Sequence, residues 1–381
     1  MREDGFSLIE IMIAVAIFSL VIGAAFQAHL TMSRANITET AKLEGQFEST
    51  IELQILENDM KNAGFCVPDV CAIASKDSLT SLEAVDWEGF TSGDVGGNYS
   101  KIIGTDRLYL ADLGEIVEDF SSDGTESGAL TDGEYTTMVT VKLSSSDGYS
   151  AALSSDASIG DSSITIISGN RDIDGSDSGA SDDYDFKADR ALIIANTSGN
   201  PPEGRMIDSS HSSDSTIVSF LENEAMEGAF VAADSVVAPA ICYHLQKPQG
   251  SSPFHDQVQV FTLTRNSDPF LEGVEAFQVA YHYDTNDNGD WEDNSSEWID
   301  ELPGSYDPKL LRSIKVIIVV RASNRQTNEA ESRDSMPLEI RDSGGSVIRT
   351  LNTLNLTTEM KHYYRKEFTI EAVPRNMRKR S

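Results

Sequence analysis

Residues 6–30 read FSLIEIMIAVAIFSLVIGAAFQAHL and follow the short opening MREDG at residues 1–5. A single carboxylate, Glu10, interrupts the apolar run near its start. At 1.5 Å per residue, a helix over this stretch measures about 37 Å, enough to cross a hydrocarbon core of about 30 Å. A cleaved secretory signal is one alternative. It requires a basic leader, a shorter apolar segment and a small-x-small cleavage site. The leader here is five residues with Arg2 beside Glu3 and Asp4, and the apolar run is longer than such a signal needs. A buried core helix is the other alternative, and 25 residues with one charge is long for it. A membrane-spanning helix fits best, and Glu10 then becomes the anomaly. An ionised acid in hydrocarbon costs about 3 kcal/mol even on lenient scales. No basic residue lies within a helical turn of Glu10 on the apolar side. An α-amine released by cutting between Gly5 and Phe6 would supply the missing charge and make Glu10 the fifth residue of the mature chain.

These residues carry a family resemblance. G-F-S-L-I-E (residues 5–10) heading an apolar helix resembles the N-terminal signature of type IV prepilins, shared by type IV pilins and type II secretion pseudopilins. The resemblance implies cleavage between Gly5 and Phe6 by a prepilin peptidase, and N-methylation of Phe6. It also implies that Glu10 pairs with the N-terminal amine of a neighbouring subunit during assembly. The leader departs from the usual pattern, with Glu3 and Asp4 where members of the family carry Lys or Arg before the glycine. Cytoplasmic placement of the leader therefore rests on the resemblance, because the positive-inside rule gives it little support.

Helical patterning continues past the apolar run. From Thr31 to Ala63 there is no proline and one glycine, Gly45. Leu30, Ile37, Ala41, Phe47, Ile51 and Ile55 fall roughly on one stripe, with Leu56, Met60 and Ala63 alongside. Gly64 is suited to end the helix. Its last turns, LENDMKNAGF at residues 56–65, have the form L-x-x-D-x-x-x-A-G-F. That form resembles minor pilins of the PilW type and the related J-type minor pseudopilins of type II secretion.

After residue 72 the helical period fades. Ten short alternating or β-branched runs, from DRLYLADL to RKEFTIEAV, are separated by turn-rich segments such as SSDG and NTSGNPPEG. The expected fold class is α+β and type IV pilin-like: a long N-terminal helix on a largely antiparallel β head with an inserted β-rich subdomain. The expected segments are leader 1–5, transmembrane helix 6–30, amphipathic stem 31–64, and stem-to-head connection with first strands 65–129. An inserted Ser/Asp/Gly-rich subdomain at 130–240 and a C-terminal pilin sheet at 241–381 complete the chain. The runs from ICYHLQ to RKEFTIEAV follow an order that resembles the PilW and J-type families.

The net charge is −33, from 62 acids against 29 bases. Such a surface repels phosphates and disfavours direct nucleic-acid binding. The sequence has no G-x-S-x-G, HExxH or P-loop, so no catalytic residue and no enzyme activity is expected. GDSS (160–163) and DSGGS (342–346) read as turns.

Calcium is the one cofactor candidate. In YDTNDNGDWED (283–293), Asp284, Asn286, Asn288, Asp290 and Glu292 offer oxygens at alternating positions, with Gly289 at the sixth, like the first half of an EF-hand loop. The twelfth position is Ser295 rather than a bidentate Glu, so a polar hairpin loop is the competing reading. The extracytoplasmic head that the resemblance implies permits a Cys66–Cys71 disulfide where stem meets head. Cys242, in APAICYHL, reads as a buried strand residue.

The expected role is that of a minor pilin, processed by prepilin peptidase, that assembles with other minor and major pilins on an inner-membrane platform to prime or cap a type IV pilus. It would start as a single-pass inner-membrane protein with an extracytoplasmic head. A minor pseudopilin of type II secretion, or a pilus-carried adhesive or ligand-binding head, are the alternatives.

Overall fold

One helix, α1 (Leu8–Asn62), opens the described chain. The computed structural model describes residues 8–76, 107–111, 148–168, 185–196, 201–212, 215–221, 225–246, 252, 260–290, 292, 294–323, 332–356 and 358–375. Side chains at 10, 11, 14, 30, 31, 33–49, 75 and 76 lie outside that description. The chain forms two compact units, Met1–Ser49 and Thr50–Ser381.

The described part of the first unit is helical, and its apolar side chains are open. Leu8, Ile9, Met12, Ile13, Val15, Ile17, Phe18, Leu20 and Phe26 are all exposed. Ser19 donates its hydroxyl to Val15 O at 2.8 Å, so that hydroxyl is satisfied within the helix. Among the described residues, no helix is long and apolar enough to cross a membrane. Glu10, Ile11 and Ala14, whose side chains lie outside the description, interrupt that stretch. Counted over the whole sequence, Glu10 is the one Asp, Glu, Lys or Arg of residues 6–30.

In the second unit the last turns of α1 bury Leu53, Leu56, Met60 and Ala63. These stand three, four and three residues apart, on one helical face. Ile51 and Ile55, expected on the packed stripe, are exposed instead. The helix has two apolar flanks, and the sheet takes the one centred on Leu56. Gly64 then turns the chain at φ +83°, a conformation that costs glycine little. Its N–H donates to Ala111 O at 2.8 Å, and Phe65 N–H donates to Asn62 O at 3.0 Å.

The strands of the head are β1 (Ile73–Lys76), β2 (Arg107–Leu110), β3 (Ala151–Ala152), β4 (Ser163–Thr165), β5 (Ala191–Asn196), β6 (Glu203–Met206), β7 (Ile217–Ser219) and β8 (Ser235–Gln246). They continue with β9 (Phe261–Arg265), β10 (Asp268–Tyr283), β11 (Trp298–Ile299), β12 (Leu311–Arg321), β13 (Ser335–Arg341), β14 (Val347–Asn355) and β15 (Arg365–Ala372). The main sheet runs β1-β2-β8-β9-β10-β12-β15, and every one of these pairings is antiparallel.

β8 serves two groups of strands. Ser235–Ala240 pairs with β5, and Val236 and Val237 also pair with β3. Ile241–Tyr243 pairs with β2, and Tyr243–Gln246 with β9. Pro239, which has no N–H to give, falls between the residues paired with β3 and those paired with β2. The 240/241 segment boundary therefore lies inside one continuous strand.

β10 and β12 are buried on both faces, which explains the continuous apolar run VIIVV at residues 316–320. Phe277, Val279, Tyr281, Ile314, Val316 and Ile318 share a core with Leu53, Leu56 and Met60 of α1. On the opposite face, Ala276, Ile317 and Val319 meet Met336, Leu338 and Leu354 of the β13–β14 hairpin. That hairpin was not among the ten expected strands. A separate core around Phe186, Leu192, Phe220 and Phe230 fills the region between β3 and β8. The run TTMVTVKL (136–143) lies outside the described residues.

Candidate functional site

The candidate residues fall in three places: the N-terminal motif, the joint between helix and sheet, and the loop after β10. Gly5 and Phe6 lie outside the described residues. Glu10 lies within α1, in its first described turn, but its side chain is outside the description.

At the joint, Asp59 is the acid of the L-x-x-D-x-x-x-A-G-F form. Its Oδ2 accepts from Tyr243 Oη at 2.6 Å and from Arg265 Nε at 2.9 Å. All three groups are largely withdrawn from water, so the pair of donors is what makes a buried carboxylate tolerable. Burial, reinforced by the Asp59 charge, pushes the Tyr243 phenol well above its ordinary range. The phenol therefore remains a donor. Helix and sheet are also joined at the chain's end, where Arg375 N–H donates to Lys61 O at 3.0 Å, satisfying a carbonyl of the last helical turn.

Cys66 and Cys71 flank this joint, and no disulfide links them. This corrects the expected Cys66–Cys71 bridge. Cys66 stands at φ +57°, and its carbonyl accepts from Tyr149 N–H. The Cys71 thiol faces Val236 O at 3.6 Å, across the core on β8. Both thiols are buried in the same core cluster as Cys242. Cys242 is a buried strand residue, as expected, with Sγ 3.5 Å from His244 Nδ1.

The loop after β10 begins at Asp284, which is fully buried. Its Oδ2 accepts from Arg312 Nη2 at 2.5 Å and from Gly289 N–H at 3.0 Å, and Oδ1 accepts from Asn288 N–H at 3.3 Å. Burial pushes its carboxyl upward, but the bonds from Arg312 and Gly289 outweigh it and hold the group below the usual carboxylate range. Asn286 Oδ1 accepts from Asn288 N–H at 3.0 Å, and Asn288 Oδ1 accepts from Asp290 N–H at 2.8 Å. Asn288 Nδ2 donates to Glu292 Oε1 at 3.2 Å. Gly289 takes φ +76° and Asp287 φ +52°.

The far end of the loop is tied at Glu297, which is buried. Its Oε2 lies 3.4 Å from His282 Nε2 and accepts from Glu292 N–H at 3.2 Å. His282 stacks on Trp298 at 4.5 Å, and Lys315 Nζ lies 4.2 Å from the centre of that indole. Sequence reasoning passed over Arg312 and His282, and set Glu297 aside as two residues beyond the twelfth loop position. The cross-strand register of β10 with β12 brings Arg312 to the loop.

The five candidate calcium ligands thus sit in one loop, and the structure uses Asp284, Asn286, Asn288 and Glu292 to bond one another and the backbone. Arg312 supplies the positive charge at Asp284. Among the described residues, no group of three or more His, Cys, Asp or Glu is placed to hold a metal ion.

Residues 1–26 match the family model of the prokaryotic N-terminal methylation motif. Among solved structures, a type IV-like pilin from Thermus thermophilus is similar at 14% identity, covering 49% of this chain and 85% of that chain, with a TM-score of 0.22. No curated protein matches. The chain therefore carries a prokaryotic N-terminal methylation motif that overlaps the start of α1, and a large antiparallel sheet follows that helix.

Proposed function

We propose that this protein is a minor pilin of the PilW type, which primes or caps a type IV pilus together with other minor and major pilins. The observation that carries the reading is the methylation motif at residues 1–26, whose greater part forms the start of α1. Prepilin peptidase cuts between Gly5 and Phe6, the new amine of Phe6 is methylated, and residues 6–30 hold the protein in the inner membrane with the head outside. On extraction from lipid, Glu10 meets the N-terminal amine of an adjacent subunit, which relieves the cost of a carboxylate in an apolar setting. The function is assembly, and the chain turns over no substrate. A large head suits a subunit used sparingly, because bulky heads crowd a dense helical array.

A J-type pseudopilin of type II secretion is the second reading, favoured by the same LENDMKNAGF helix end. Mass spectrometry of the protein from its native membrane is the test. The expected mature chain begins at N-methyl-Phe6. A chain beginning at Met1, or well beyond Leu30, rules out both readings. Co-purification with pilus subunits or with secretion subunits then separates them.

A further inference from the structure

We propose that Asn288–Gly289 is a site of self-modification, at which the Gly289 nitrogen attacks the Asn288 side-chain carbonyl and converts the asparagine to aspartate and isoaspartate. Asn288 is the one asparagine of the chain followed by glycine. Glycine lacks the Cβ that would hinder approach of its nitrogen to the preceding side chain. The surroundings are open too, since a Cβ at Gly289 would meet nothing within 4 Å.

Three contacts of the folded loop favour the reaction. Asp290 N–H donates to Asn288 Oδ1 at 2.8 Å, which polarises the carbonyl and holds it over the following peptide. Gly289 N–H donates to Asp284 Oδ2 at 3.0 Å, so a proton acceptor stands at the nucleophile. Arg312 keeps that carboxyl ionised, and its contribution is position rather than basicity. Asn288 Nδ2, the leaving nitrogen, already donates to Glu292 Oε1 at 3.2 Å.

The Gly289 amide proton passes by way of Asp284 and solvent water to Asn288 Nδ2, which needs it to leave. A bond forms between Gly289 N and Asn288 Cγ, the Cγ–Nδ2 bond breaks, and nitrogen departs as ammonia. Water then opens the five-membered imide at either carbonyl, giving aspartate or isoaspartate. No electrons are gained or lost. Isoaspartate lengthens the backbone inside the loop and adds a negative charge beside Asp284, Asp290 and Glu292.

The test is to hold the purified full chain in warm neutral buffer and follow its peptides by mass spectrometry, with enzymatic methylation to count isoaspartate. Asn288 should convert ahead of Asn266 and Asn294, each of which precedes serine. If Asn288 keeps its amide while either of those converts, the proposal fails. Asp284→Asn should slow conversion severalfold, and an unchanged rate in a folded variant removes Asp284 from the mechanism. Should that variant not fold, the wild-type chain in urea decides. Conversion at Asn288 should be slower there than in the native protein, and an equal or faster rate overturns the claim that the folded loop promotes it.

Discussion

Single residues carry the joint between helix and sheet. Asp59 reaches Tyr243 and Arg265 across 184 and 206 residues of sequence. Asp59→Ala would leave the Arg265 guanidinium without its carboxylate and should cost about 2–3 kcal/mol, whereas Tyr243→Phe should cost about 1 kcal/mol. Equilibrium urea unfolding of both variants checks the order. The acid was legible in the L-x-x-D-x-x-x-A-G-F form, but its partners were not, because nothing local in the sequence ties position 59 to either strand. Asp284 offers a second prediction. Its carboxyl titrates lower in the folded protein than in the unfolded chain. Its contribution is therefore complete above the unfolded value and is lost as pH falls through the folded one. The fall of stability with acid should be shallower in Asp284→Asn, measured as unfolding free energy against pH.

At the scale of elements, strands with β-branched runs were readable, and those that pack through few residues were not. The β-branched run in RSIKVIIVVR and the apolar-rich run EAFQVAYHY gave β12 and β10 directly. The β13–β14 hairpin was missed because Pro337 and a mostly polar outer face disguise an alternation in which only Met336, Leu338 and Ile340 are buried. The turn between its strands was readable: Asp342 Oδ1 accepts from Gly344 and Ser346 N–H within DSGGS. Leu338→Ala should cost about 2–4 kcal/mol, since Leu338 is fully buried under the hairpin. Thermal unfolding measures it. On the other side of the molecule, β6 approaches β2 through Gly204, where a Cβ would lie 2.1 Å from Tyr109 Cγ. Gly204→Ala should destabilise by about 1–3 kcal/mol as the ring is displaced. Pairing it with Tyr109→Leu should recover part of the loss, which a double-mutant cycle detects.

For the whole molecule, the fold class followed from the change of period after residue 72, helix before it and strands after it. The helix's packed flank did not follow, because Ile51 and Ile55 are as apolar as Leu53 and Leu56 and only the sheet's position chooses between them. On the proposed assembly role, Glu10→Ala should leave membrane insertion and cleavage intact and reduce recovery in purified pili. Immunoblotting of membrane and pilus fractions reads both effects. Calcium should leave the melting temperature of the head unmoved, since a ligand stabilises only by binding the folded state and Arg312 already neutralises Asp284.

β8 gives its first half to one group of neighbours and its second half to another. The Ser/Asp/Gly-rich segment is thus no detachable cassette. Cutting it away at residue 240 would strip six residues from a strand whose remainder must still hold β2 and β9 together. Nor can either side melt alone without fraying the other's border. Calorimetry of the head should record one peak of heat uptake, and two resolved peaks would mean that the shared strand does not couple its neighbours.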